Sequence, residues 1–432
     1  MISKQFPIKS ETACLLKWAW SSVFVYQGTT NSCHRTIHDI VNNEDFGMFH
    51  NSPSKLVART KMINGEWPGK GCEYCRDIEV AGGVSDRVNE LNLLATDHSH
   101  SKYIPPELLI DPTAINVTPT IVELYFSNKC NMSCIYCGSG LSSLWVAENR
   151  IHGDRGMTVA KADELSKTYD IRLEKFWAWF KENYKTIKLL HILGGEPFYQ
   201  DETDQMIDFL LESEVTPGTT IKFFSNLKVS DAKFKRLVTK MKRLYDEKQM
   251  LVGITASLDA WGPAQEYVRS GLVLSQWEQN FEYLVNECTW MHLCVNSTIS
   301  SLSIKAMPEL IEKLNQWKTV HPNIANSFNL LFRPASMDPG IFPAGYFEAD
   351  MQKILDLMPR NDIYEESFYQ QMVGVKVRIE NTPHNPEQLN GLKTFLDHMD
   401  SRKKTNWRTT FPWLVEVIDC DNVPGSVLAV KN

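Results

Sequence analysis

Three cysteines within eight residues, Cys130-Asn-Met-Ser-Cys134-Ile-Tyr-Cys137, constrain this chain more than any other feature. A structural zinc site wants four ligands and is usually built from two close cysteine pairs. This run offers three thiols on one loop. Three thiolates can hold three irons of a [4Fe–4S] cube and leave the fourth iron open to another ligand, as a catalytic cluster requires. A zinc site completed by a distant histidine is the other arrangement that the spacing allows. The chain carries 10 cysteines in 432 residues, and four more form a looser set, Cys14, Cys33, Cys72 and Cys75, with gaps of 18, 38 and 2 residues. That set suits either zinc or a fully ligated iron–sulfur cluster. Cys288, Cys294 and Cys420 are left over.

Cysteines at this density in a long chain read as metal-holding or reactive thiolates rather than a disulfide framework. No apolar run approaches the roughly 18 residues of a membrane helix, and Met1 to Ser10 lacks a signal-peptide core, so no membrane association and a cytoplasmic location are expected. At roughly 150 residues per domain the length implies two or three domains. Acidic residues outnumber basic ones, 52 against 45, so nucleic-acid binding through a basic face is not expected.

Pro105, Pro106, Pro112 and Pro119 punctuate the stretch from Tyr103 to Pro119, which reads as an irregular linker, with bounds 106–120. Before it, residues 1–105 hold the four-cysteine set. After it, strand-like and helix-like segments alternate, the signature of an α/β fold over 121–345. The strands expected are Ile121–Phe126, Ile187–Leu193, Thr220–Ser225, Leu251–Asp259, Trp290–Asn296 and Phe328–Arg333. Ala162, Leu165, Tyr169, Leu173, Phe176 and Phe180 recur at helical steps and predict one amphipathic helix. Six strands suggest a partial (β/α)6 barrel rather than an eight-stranded one. Residues 346–432 read as a helical C-terminal region.

Side chains alternate along a strand, so parity sorts the two faces. Gly253, Thr255, Ser257 and Asp259 share one face of the fourth strand. On the fifth, Trp290, His292, Cys294 and Asn296 share a face. On the sixth, Asn329, Leu331 and Arg333 oppose Phe328, Leu330 and Phe332. These polar faces suggest an interior that holds cofactor and substrate. Cys294 would there be a hydrogen-atom donor or a small buried hydrophobe. Arg333 would bind a substrate carboxylate or phosphate, or serve as an ion-paired structural residue. His34 and His38 read as solvated loop.

Three features together resemble the radical S-adenosylmethionine (SAM) superfamily: the C-x3-C-x2-C run after the first strand, Gly194-Gly195-Glu196-Pro197 closing the second, and Ser257 with Arg269 at and beyond the fourth. The resemblance covers about residues 117 to 335. It implies that Cys130, Cys134 and Cys137 hold a [4Fe–4S] cluster whose open iron is chelated by SAM. It further implies that Glu196 accepts from the SAM ammonium, Arg269 pairs with its carboxylate, Ser257 reaches carboxylate or ribose, and Asn296 makes a further contact. Tyr136 falls where the family packs an aromatic beside adenine. Gly194 and Gly195 permit close backbone approach, and Pro197 completes the motif.

Cys14, Cys33, Cys72 and Cys75 resemble the ligands of a twitch or SPASM domain, which holds an auxiliary [4Fe–4S] cluster. Such domains usually follow the barrel, whereas this set precedes it. The implied activity is reductive cleavage of SAM to a 5′-deoxyadenosyl radical that abstracts hydrogen from an unactivated carbon. A flavodoxin or ferredoxin would supply the electron. Oxidative modification of a peptide or protein is the reading preferred, with dehydrogenation of a small molecule such as a sugar or aminocyclitol close behind. A protein that holds clusters without turnover is a third reading.

Overall fold

The alternation of strand and helix becomes a nine-stranded sheet in the computed structural model, which describes residues 6–331 and 333–419. Phe332 and Cys420 lie outside the described residues. The strands are β1 (Trp20–Phe24), β2 (Thr29–Asn31), β3 (Asp39–Ile40), β4 (Ile121–Tyr125), β5 (Leu189–Leu193), β6 (Thr220–Ser225), β7 (Leu251–Ser257), β8 (His292–Ile299) and β9 (Ile324–Leu330). Their order is β3-β2-β1-β4-β5-β6-β7-β8-β9. The pairs β1–β4, β4–β5, β5–β6 and β8–β9 are parallel, whereas β1–β2 and β2–β3 are antiparallel. The fold class is therefore α/β, with a mostly parallel sheet.

The chain divides into two compact units: Met1–Lys129 with Met157–Phe224 and Ala232–Gly253, and Cys130–Gly156 with Ser225–Asp231 and Ile254–Asn432. In the first, β1 from the N-terminal segment lies beside β4, in register from Trp20↔Ile121 to Phe24↔Tyr125. The stretch expected as an irregular linker contains a helix, Pro106–Ile110. One face of these strands is apolar throughout: Val122, Leu124, Leu190, Ile192, Ile221 and Phe223 are all buried. Phe176 and Phe180 come from the helix Tyr169–Asn183, and Phe176 meets Phe126 edge-on at 5.8 Å. In the second unit, helices Glu348–Leu357, Ile363–Asn381, Pro386–Lys403 and Pro412–Ile418 account for most of the described C-terminal region.

Three expectations are corrected in detail. The fourth strand ends at Ser257, because the backbone N–H groups of Asp259 and Ala260 both turn to Gln265 Oε1, at 2.9 Å each. The last two strands sit elsewhere than their apolar runs suggested, at His292–Ile299 and Ile324–Leu330, and pair residue by residue from Leu293↔Ile324 to Ile299↔Leu330. The amphipathic helix is two helices, Val159–Lys167 and Tyr169–Asn183, broken at Thr168. Arg172 explains that break. Its guanidinium takes the Leu165 carbonyl at 2.8 Å and the Thr168 hydroxyl at 2.5 Å, oxygens at the junction of the two helices.

Arg172 also donates to the carbonyls of Val25 and Tyr26, both at 2.6 Å, just beyond β1. Among the described residues no helix is long and apolar enough to cross a membrane. Hydrogen bonds to a charged group are each worth about 1.5–3 kcal/mol, and Arg172 is 1% exposed. Arg172→Met should lower stability to urea by about 3 kcal/mol or more. A loss under about 1 kcal/mol would remove Arg172 as the clamp between β1 and this helix pair.

Candidate functional site

In the second unit a single carboxylate organises the residues of interest. Asp259 stands two residues past β7 and is 1% exposed. Its Oδ2 accepts from Arg269 Nε at 3.0 Å and from the Tyr136 hydroxyl at 2.5 Å. Its Oδ1 accepts from Arg269 Nη2 at 2.8 Å and from the backbone N–H of Thr298, also at 2.8 Å. Burial alone would lower the pKa of Arg269, but Asp259, with Tyr136 and Cys134, outweighs burial and raises it. The guanidinium therefore stays charged. Burial, opposed by Arg269, holds Tyr136 well above the usual phenol range, so it remains a neutral donor. Gln265 is fully buried beside Asp259, and its Nε2 has no hydrogen-bond partner among the described residues.

The cysteine loop is clipped to the Arg269 turn by two backbone bonds, Ser133 N–H to Ser270 O at 3.0 Å and Ile135 N–H to Val268 O at 2.9 Å. Further donors fix its carbonyls. Trp145 Nε1 reaches Cys134 O at 2.9 Å, and Arg155 reaches Ile135 O and Cys137 O at 3.0 Å each. Lys403 donates to Ser133 Oγ at 2.8 Å and pairs with Glu148 at 2.8 Å. Burial pushes the Cys134 thiol up to about 12, with Arg269 pulling against it. Cys137 is likewise raised by burial, and Arg269, Arg155 and Lys403 all act to lower it.

This donor set fits the cluster that the spacing implies: soft sulfur ligands on a fixed loop, beside cations that favour the thiolate. Among the described residues no three His, Cys, Asp or Glu side chains converge as ligands of a single ion. The thiolates of a cubane each bind a different iron.

On β8 the expected alternation holds. Leu293, Val295, Ser297 and Ile299 are buried, while Cys294, Asn296 and Thr298 are half-buried. Asn296 Oδ1 accepts from Ser327 Oγ and from Asn329 Nδ2, both at 2.7 Å. Cys294 Sγ lies 3.8 Å from Ser327 Oγ. Ser257 ends β7 half-buried. His292 is exposed, and Arg333 is exposed beyond the end of β9.

In the first unit Gly194-Gly195-Glu196-Pro197 follows β5. Gly194 and Gly195 have φ of +82° and +55°, and a Cβ on Gly195 would stand 2.3 Å from Lys129 O. Glycine is required there both by conformation and by space. Glu196 is 1% exposed, donates its N–H to Lys129 O at 2.9 Å, and accepts from Phe198 N–H at 3.0 Å through its carboxylate. Gln200, which carried no sequence signal, ties the turn down: its Nε2 donates to Gly194 O at 2.7 Å and to Lys129 O at 3.1 Å. Lys129 immediately precedes Cys130 in the chain.

The same unit gathers the four N-terminal cysteines. Cys14 and Cys72 are buried in one apolar cluster with Leu15, Trp18 and Met62. Burial raises the pKa of both; Cys33 adds to each, and Lys17 opposes at each. Cys75 acts on Cys72. The loops carrying Cys33 and Cys72 are joined by Ile37 N–H to Lys70 O at 3.1 Å. Among the described residues no cysteine forms a disulfide.

Sequence reading missed a polar row across β1, β4 and β5. Ser22, Glu123 and His191 stand abreast. Ser22 Oγ donates to Glu123 Oε2 at 2.6 Å, while His191 Nδ1 and His34 Nε2 lie 3.7 and 3.8 Å from Oε1. Burial would raise Glu123, yet His191, His34 and Ser22 together hold it below the usual carboxylate range. The available signal was a glutamate at the centre of an otherwise apolar strand. His34, expected as solvated loop, is a neighbour of that carboxylate.

No protein-family model matches the chain, and a search of curated proteins finds no match. The Asp259 assembly makes its own prediction. Removing one partner of a buried pair costs about 3–5 kcal/mol, while a hydrogen bond to a charged group is worth about 1.5–3 kcal/mol. Asp259→Asn should therefore cost more stability than Tyr136→Phe in urea unfolding. Equal losses would mean that the Arg269 pairing is not what Asp259 is for.

Proposed function

We propose that this chain is a radical SAM enzyme whose cluster is held by Cys130, Cys134 and Cys137. The observation that carries the reading is the clip between the cysteine loop and the turn bearing Arg269, completed by Asp259 bonded to both Arg269 and Tyr136. Motifs that lie far apart in the chain thus belong to one hydrogen-bonded assembly, as a shared cofactor demands. In this reading β4 to β9 form the partial barrel of that superfamily. When bound, the cluster would pass one electron to SAM, and the 5′-deoxyadenosyl radical released would take a hydrogen atom from the substrate.

The protein's own groups have defined tasks. Arg269 spends Nε and Nη2 on Asp259, which leaves Nη1 to meet a carboxylate in a fixed direction. Tyr136 is held by its hydroxyl, so its ring is set for stacking. Asn296 has its oxygen occupied by two donors, so its amide N–H2 is the end that would meet a ligand. Ser257, Cys294, Asn296 and Ser327 offer small polar groups to a substrate. Glu196 and its glycines keep the role that the resemblance gives them. Cys14, Cys33, Cys72 and Cys75 would hold a second, fully ligated cluster that carries away an electron, which suits net oxidation of a peptide or protein. A small-molecule alcohol is the other substrate class consistent with that outlet.

The test is anaerobic reconstitution followed by assay with SAM and a low-potential reductant. The intact protein should hold about eight irons, and a Cys72→Ala, Cys75→Ala variant about four. Methionine and 5′-deoxyadenosine should form, and should vanish in Cys134→Ala. Iron without either product would leave a cluster-holding protein that does not turn over.

A further inference from the structure

Positive charge gathers beside the cysteine loop in excess of the acid that accompanies it. In the second unit Arg155, Arg402 and Lys403 close around the Trp145 ring, 4.7, 5.9 and 4.3 Å from its centroid. Trp145 is fully buried and itself holds the Cys134 carbonyl. Lys403 pairs with both oxygens of Glu148, at 2.8 and 3.0 Å, so those two charges cancel. Arg155 and Arg402 bond to neutral acceptors instead. Arg155 takes the Ile135 and Cys137 carbonyls, and Arg402 takes Asn149 Oδ1, His398 Nε2 and the carbonyls of His152 and Gly153. Among the described residues no carboxylate pairs with either guanidinium.

Burial works against the charge of Arg155, and Arg402 adds to that effect. A guanidinium nonetheless starts so far above neutrality that it stays charged in a folded protein. Spent donors do not silence it, because charge acts through space. Burial raises the Cys137 thiol, while the Gly138 carbonyl contact, Arg269 and Arg155 pull it down. Arg269 is already matched by Asp259. Arg155 reaches two carbonyls of the cysteine loop and brings its charge unmatched. A cube held by three thiolates is negative, and accepting an electron makes it more so. An unmatched cation beside it favours the reduced form and raises the reduction potential.

We propose that Arg155, backed by Arg402, is the counter-charge that sets the reduction potential of the cluster on Cys130, Cys134 and Cys137. This rests on the cluster reading above and adds to it the residues that tune that cluster. The helix Pro386–Lys403 takes part, because it supplies Arg402 and the Phe395 ring that Arg155 covers at 5.2 Å. The test uses the full-length chain with Cys72→Ala and Cys75→Ala, so that one cluster is read. Its midpoint is followed by electron paramagnetic resonance during anaerobic titration with dithionite, without SAM. Arg155→Gln should lower the midpoint by about 59 mV, a tenfold loss in the reduced-to-oxidised ratio at a fixed potential. Arg155→Lys keeps the charge but not the two-pronged contact, and should recover most of that shift. Arg402→Gln should move the midpoint the same way by less, and Lys353→Gln, at an exposed position, should leave it unchanged. An unchanged midpoint in Arg155→Gln, with about four irons bound, would overturn the proposal. Equal shifts in Arg155→Gln and Arg155→Lys would also overturn it, since loop geometry rather than charge would then set the potential. If Arg155→Gln holds no iron, Arg402→Gln, which bonds to none of residues 130–137, decides by the same midpoint. A parent chain that takes up no iron would instead overturn the cluster reading, and this inference with it.

Discussion

A carboxylate taken out of water keeps its charge only if donors replace the water it lost. Asp259 is met by donors from three different stretches of chain: Tyr136 in the cysteine loop, Arg269 in the turn after β7, and the Thr298 backbone on β8. Each of these is fixed because the others are. Arg269 would be an unacceptable buried cation without Asp259, and Tyr136 would have no acceptor for its hydroxyl. The cysteine loop inherits this rigidity through its backbone bonds to Val268 and Ser270. A catalytic cluster would gain from such a base, because productive geometry is lost when supporting groups shift by about an ångström.

The first unit solves the burial problem with the opposite sign and less completely. Arg59 is fully buried and donates to the carbonyls of Lys17, Ile115 and His50 and to Asn51 Oδ1, all neutral. Burial lowers its pKa to about 9. Burial also holds Lys55 well below its usual range, with Arg59 and Lys17 adding to the effect. Both groups are hydrogen-bonded to neutral partners, and burial works against their charge. A segment built in this way favours anionic company, and four thiolates around iron are one form of it.

Much of this was legible from residue types alone. The strands Ile121–Tyr125 and Thr220–Ser225 announced themselves because buried parallel strands are continuous apolar runs between turn residues. The alternation on β8 was readable because a period of two survives a shift in strand ends. The ends of Thr220–Ser225 were readable, whereas those of the later strands were not. Gln265 stops β7 through a side-chain acceptor, and Arg172 breaks a helix by drawing on oxygens that periodicity cannot register. Residues of the site that carry a motif, Cys130 to Cys137 and Gly194 to Pro197, stood out. Gln200 and Glu123 did not, because a buried polar group is recognisable only from the partners that folding brings to it.

The position of β1 beside β4 changes how the N-terminal cysteines should be studied. Five consecutive residue pairs, Trp20↔Ile121 through Phe24↔Tyr125, join the two strands. The cysteine-bearing front is thus stitched into the sheet by main-chain bonds. Cutting it away would leave the whole length of β4 as a raw edge, open to pairing with any other chain. A truncated protein would then precipitate for reasons unrelated to iron, and its silence would be mistaken for a lost cofactor. Only substitutions that keep the backbone can separate what those thiols do from what their strand supports.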